Sequence, residues 1–146
     1  MKPAFQPYEG VKPYIFIGYA PEDMERTISF LNALNAAGYR VWYYRVQAGR
    51  RRDDAIAEHI IQCSVFLLLL SRASVKSDDC YEQTMYARLK EKTIVPVYLE
   101  TVELPPGLEM RLHSIQYMRL SDYSGIEHFA LALENEDAFA PCKISK

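Results

Sequence analysis

Residues 64–70 read SVFLLLL, and the chain continues to Ala87 as SRASVKSDDCYEQTMYA. A strand with one wet face alternates apolar and polar side chains. This run does not alternate, as expected for a central parallel strand covered on both faces. Val65–Leu70 is also far shorter than the roughly 20 apolar residues that span a bilayer. A polar loop follows, and the pattern predicts a helix over Asp79–Lys92. The unit is therefore strand, loop and helix at the middle of an open α/β sheet.

Outward from that centre, strand-like and helical segments take turns. Tyr14–Gly18 (YIFIG) is a short β-branched and aromatic run ending at a glycine. A helix is predicted over Pro21–Ala37. Its proline suits a first turn, Glu22 and Asp23 suit the positive end of the dipole, and Gly38 is placed as the stop. Arg40–Tyr44 reads as the second strand. Asp53–Gln62 reads as the second helix, with Ile56, Ile60 and Ile61 inward. Ile94–Leu99 is the fourth strand, and Pro96 within it implies a lateral or bulged place. A short helix near Leu108–His113, a strand over Ile115–Leu120 and a helix over Gly125–Glu134 complete the series. Alternating βαβα order predicts a doubly wound, flavodoxin-like, five-stranded parallel sheet of order 2-1-3-4-5 with helices on both faces. Residues 12–135 are read as the domain, 1–11 as an N-terminal extension and 136–146 as a loose C-terminal tail.

Bulk properties narrow the function classes. The 146 residues suffice for one core, and 49% hydrophobic with 25% charged content is globular. A net charge of −2 argues against a nucleic-acid partner. MKPAFQPYEG holds no apolar stretch of the signal-peptide type, so a soluble cytoplasmic protein is expected, with no membrane partner. Cys63, Cys80 and Cys142 lack CxxC spacing, and His59, His113 and His128 lack HExxH spacing. Neither a disulfide framework nor a metal site is expected. A receiver domain would need an aspartate where Ser71 stands. A dinucleotide-binding Rossmann domain would need GxGxxG where GYAPED stands, and a triad hydrolase would need GxSxG.

In this topology the switch point lies between strands one and three, so Gly18–Asp23 and Ser71–Gln83 should rim one crevice. Gly18, Tyr19, Ala20 and Ser71 are the candidate contacts at the strand tips. Gly18 either admits a ligand closely or makes a tight strand exit, and Ser71 either bonds a ligand or starts the loop. Arg50, Arg51 and Arg52 suit phosphate oxygens, or form a solvated basic loop.

Four segments resemble a known family. PYIFIGYAPED (Pro13–Asp23) resembles the opening box of Toll/interleukin-1 receptor (TIR) domains, FISYS-x-x-D. RVWYYRVQAGRRRDDAIAEHI resembles their second strand, BB loop and following helix. CSVFLLLLSRASVKSDDC resembles the third strand and its loop, and IVPVYLETVELPPGL the fourth. The match runs from about Lys12 to Asp122, closest to bacterial members. The resemblance implies two activities. One is self-association with other TIR domains through the BB loop. The other is cleavage of the nicotinamide–ribose bond of NAD+, a substrate and not a cofactor, giving ADP-ribose or cyclic ADP-ribose signals in antiviral (antiphage) immunity, read by a downstream effector.

In that family a glutamate on the third helix, in a pattern near W-C-x-x-E, is catalytic. Cys80 matches the cysteine, so Gln83 stands at the catalytic position and Asp79 where a stacking tryptophan is usual. Tyr19 or Tyr81 would then supply an aromatic face. An amide hydrogen-bonds ribose but cannot stabilise an oxocarbenium ion as a carboxylate does. Two accounts of Gln83 stay open: a native amide in a catalytically silent scaffold, or a deliberate Glu→Gln change that traps substrate or an assembly. Glu82 is the alternative carboxylate, although consecutive helical residues project about 100° apart.

Overall fold

The computed structural model describes residues 3–45, 49 and 51–144. Five parallel strands form one sheet: β1 (Ile15–Gly18), β2 (Val41–Trp42), β3 (Val65–Leu70), β4 (Thr93–Tyr98) and β5 (Met118–Arg119). Their order is β2-β1-β3-β4-β5, the expected doubly wound arrangement. β3 lies between β1 and β4: it pairs with β4 from Val65 to Leu70 and with β1 from Val65 to Leu68.

The apolar run of β3 is explained by this position. Successive side chains point to opposite faces. Val65, Leu67 and Leu69 join one core layer, with Phe30, Leu31 and Leu34 of α1 (Met24–Ala36) and Phe129 and Ala130 of α5 (Ile126–Ala132). Phe66, Leu68 and Leu70 join the other, with Ile56 and Ile60 of α2 (Arg52–Gln62), Cys80 and Ala87 of α3 (Asp78–Leu89), and Leu108 and Leu112 of α4 (Pro106–Leu112). All six β3 residues are buried. Among the described residues, no helix is long and apolar enough to cross a membrane.

Local signals set the element ends. Pro21 opens a 3₁₀ turn, Pro21–Asp23, that leads into α1. Gly38 ends that helix at φ +94°, while Tyr39 N–H bonds Leu34 O at 3.1 Å and Gly38 N–H bonds Asn35 O at 3.0 Å. This is the paired helix stop in which glycine supplies the left-handed residue. Ser77 caps α3, its hydroxyl accepting Cys80 N–H at 3.1 Å. Pro96 pairs only with Leu68, because β5 joins β4 from Val97 onward. The proline thus sits where the outer edge of β4 is open, which is the lateral place its missing donor demands.

Three expectations need correction. Ile61 is 43% exposed: Ile56 and Ile60 are one turn apart on the inner face, and the next residue is rotated off it. The two edge strands are shorter than the apolar runs suggested, two residues each. The C-terminal tail is not loose across its described part, 136–144. Phe139 and Cys142 are 1% and 0% exposed in the α1–α5 layer, Arg40 N–H bonds Cys142 O at 2.9 Å, and Lys143 bridges Tyr39. Isolated apolar anchors without periodicity carry this docking, so periodicity could not reveal it.

The N-terminal extension also packs. Tyr8 N–H donates to Val41 O at 2.9 Å, covering the outer edge of β2, and Glu9 pairs with His59 Nε2 at 2.6 Å. His59 itself stacks on Trp42 with ring centroids 4.0 Å apart.

Candidate functional site

At the carboxyl ends of β1 and β2, a cleft of about 320 Å³ opens between those strand tips and helices α2 and α3. Its polar lining is Tyr19, Tyr44, Arg45, Arg52, Asp79 and Gln83, over a floor that includes Phe16 and Ile56. Each group has a structural reason to be there. Tyr19 follows β1 and Tyr44 follows β2, both leaving the sheet at its ligand-facing edge. Arg52 begins α2. Asp79 and Gln83 stand four residues apart on α3, hence one above the other on a single helix face.

Electrostatics in the cleft centre on Arg52. Its Nη2 meets Asp79 Oδ2 at 3.0 Å and its Nη1 meets Asp53 Oδ1 at 3.2 Å. The guanidinium also lies over the Tyr44 ring, 5.5 Å from its centroid. These contacts are solvent-exposed, and such ion pairs are worth only about 0–1 kcal/mol. Burial pushes the Tyr19 phenol above its ordinary pKa, with Tyr43 adding to the rise and Arg52 opposing it, so the ring is a neutral face.

The structure brings Tyr19, Asp79 and Gln83 together as expected, and separates the other candidates. Glu82 lies off the cleft, in an adjoining groove of about 320 Å³ bordered by Asp53 and Tyr86. Ser71 is 0% exposed, its hydroxyl donating to Asp23 and accepting Ser74 N–H, the latter at 3.0 Å. The ligand-bonding alternative for Ser71 is therefore corrected: the hydroxyl is consumed in holding the loop after β3. Asp23 also receives Arg26 Nη2 at 2.8 Å, and Arg26 Nη1 reaches Glu100 at 2.8 Å. Arg72 N–H and Arg26 hold the Glu100 carboxyl below its usual pKa. This network ties together the loops after β1, β3 and β4.

Ala20 is fully buried, and its carbonyl accepts Asp23 N–H at 2.9 Å to start the 3₁₀ turn. Gly18 is also turned into the core: an added Cβ would stand 3.0 Å from Phe66 Cζ. Its missing side chain makes room for an aromatic ring, not for a ligand. Gly18→Ala should therefore overpack the core and cost about 1–3 kcal/mol. Urea denaturation checks this, and an unchanged midpoint would contradict it. Tyr81 turns away from the cleft toward α4, where a Cβ on Gly107 would lie 3.7 Å from its ring. Arg51 is exposed ahead of α2 and does not line the cleft. Arg50 lies outside the described residues.

Sequence reasoning missed Tyr44 and Arg45. The signal was available, because β2 is the neighbour of β1 and its tip opens on the same edge. A larger hollow of about 910 Å³ lies between the start of β4 and residues 113–119, and none of the candidate residues lines it.

Comparisons place this geometry among known proteins. No curated protein matches the chain. Among solved structures, the TIR domain of the Toll-related receptor TRR-2 from Hydra magnipapillata is 22% identical, with 74% of this chain and 84% of that one covered and a TM-score of 0.64. The CMP N-glycosidase BcmB of Clostridium botulinum is 16% identical over 83% of this chain and 98% of its own, with a TM-score of 0.58. A putative pilus assembly-related protein of Burkholderia pseudomallei is 17% identical over 95% and 98%, with a TM-score of 0.52. At these identities the likeness is one of fold. The family model described as TIR domain matches residues 15–133, nearly the whole sheet and its helices, and the chain belongs to the TIR domain family.

Proposed function

We propose that the cleft binds NAD+ and that the chain is built on the plan of a TIR-domain NAD+ glycohydrolase or cyclase, with an amide at the position that carries the catalytic carboxylate. One observation carries the reading: Gln83 looks into a cleft that also holds two tyrosines and two arginines. Arg45 and Arg52 offer forks to the pyrophosphate, charge-assisted bonds that guanidinium makes well. Tyr19 and Tyr44 offer flat apolar faces to the bases. The Gln83 amide can donate to and accept from ribose hydroxyls.

Cleavage breaks the bond between ribose C1′ and the nicotinamide nitrogen, and the electron pair stays with nicotinamide. Positive charge develops on the ribose, and an amide stabilises it far less than a carboxylate. Binding should thus exceed turnover in this chain. ADP-ribose-type products in bacterial immunity are the role this chemistry would serve. That a protein of similar fold is described as a CMP N-glycosidase agrees with glycosidic-bond chemistry on this scaffold. The uncharged side chain at position 83 also favours a second reading, a silent module acting through TIR–TIR assembly.

Titration calorimetry with NAD+ separates the two. The cleft reading predicts saturable binding, weakened about tenfold or more by Arg52→Ala, the usual worth of a charged hydrogen bond. Absence of heat at millimolar NAD+ would remove this reading and leave assembly.

A further inference from the structure

We propose that Asp79 is a catalytic carboxylate of this cleft, held by Arg52 until a nucleotide pyrophosphate takes the guanidinium. The inference rests on the NAD+ reading above. Among the described residues lining the cleft, Asp79 is the acidic one: Asp53 and Glu82 border only the outer groove. It shares a helix face with Gln83, one turn nearer the N-terminus of α3, so its carboxylate can approach the same sugar. Asp79 lies in the first turn of α3, where the helix dipole favours a negative charge.

The Arg52–Asp79 pair has the properties of a displaceable contact. The N–O distance is 3.0 Å, but the two side chains are 42% and 59% exposed. An exposed carboxylate–guanidinium pair is held weakly. A pyrophosphate presenting two oxygens to the Arg52 fork makes the stronger match. The cleft and the outer groove share Arg52, Ile56, Asp79 and Gln83, so the pair stands as a partition between two compartments. Moving it joins them into one trough, suited to a ligand with a base at each end.

Once released, Asp79 faces the ribose as the C1′–N bond breaks. The bonding electrons pass to the nicotinamide ring, whose pyridinium charge is neutralised. Asp79 stabilises the resulting oxocarbenium ion and accepts a proton from the water that forms the new C1′–O bond. That proton then leaves to solvent, and the products are nicotinamide and ADP-ribose.

The test follows nicotinamide release by the full native chain and by Asp79→Asn, with NAD+ and ADP-ribose affinities measured in parallel. Slow release by the native chain is expected. Asp79→Asn should lower it about tenfold or more while binding ADP-ribose as tightly or more tightly, because Arg52 no longer has to be taken from a carboxylate. A merely structural ion pair would instead lower the melting temperature and loosen binding. Equal release by the variant, no release by a native chain that binds NAD+, or loss of release in Glu82→Gln but not in Asp79→Asn would each overturn the role of Asp79 alone. Failure of the native chain to bind NAD+ would overturn the cleft reading as well.

Discussion

Gln83→Glu is expected to raise nicotinamide release from NAD+ by roughly a hundredfold to a thousandfold, the scale of a preorganised electrostatic partner at a developing charge. The change is nearly isosteric, so the cleft and its arginines should persist. What it adds is a full negative charge on the α3 face that looks toward Tyr19 and Tyr44. In ground-state NAD+ the positive charge sits on the pyridinium ring; it moves to the ribose as the oxocarbenium ion forms, and there the new carboxylate is of most use. The gain should therefore appear in kcat, with KM moved much less. Asp79, one turn away, is drawn off by Arg52 in the free protein, which limits like-charge repulsion with the new glutamate. A variant no faster than its parent would mean that position 83 does not face the scissile bond, and assembly would become the better account.

Phe139→Ala is expected to destabilise the fold by about 3–5 kcal/mol, the usual cost of truncating a fully buried aromatic side chain. Phe139 is 1% exposed and belongs to the same apolar layer as Phe129, Leu133 and Leu34. The segment around it is fastened by Arg40 Nη2 donating to Pro141 O at 2.7 Å and by Ile144 N–H donating to Gly38 O at 2.7 Å. Chemical denaturation measures the loss, with a midpoint shift at constant slope. A shift no larger than that of Leu131→Ala, whose side chain is 59% exposed, would show that the segment is an appendage.

What the sequence made legible follows from how strongly each feature depends on local pattern. The run Val65–Leu70 announces its place because a strand buried on both faces must be apolar throughout. Pro21 and Gly38 mark the ends of one helical segment through backbone geometry alone. The docking of Phe139 and Cys142 is invisible to periodicity, since it relies on two separate anchors reaching a layer built by distant elements. The second strand read too long because an apolar run reports burial, and Tyr43 is buried beyond the last paired residue, Trp42. Residues 113–120 around β5 are exposed or half-buried, so there the side-chain types did not report burial.

The site divides in the same way. Asp79 and Gln83 could be placed on one helix face from their spacing, and Tyr19 from the topology. Ser71 and Gly18 sit at the right strand tips, yet sequence does not reveal which way the Ser71 hydroxyl turns or what fills the space beside Gly18. Ser71 turns to Asp23, and the space a Gly18 side chain would need is occupied by Phe66. Tyr44 and Arg45 belong to no motif, and only the adjacency of β2 to β1 brings them to the cleft.

Crystallography of the native chain grown with NAD+ tests the central claim most directly. The account predicts a dinucleotide with its pyrophosphate on Arg52, its ribose against the Gln83 amide, and Asp79 parted from the guanidinium. Density in the hollow beside β4, or an intact Arg52–Asp79 pair with an empty cleft at saturating NAD+, would contradict it.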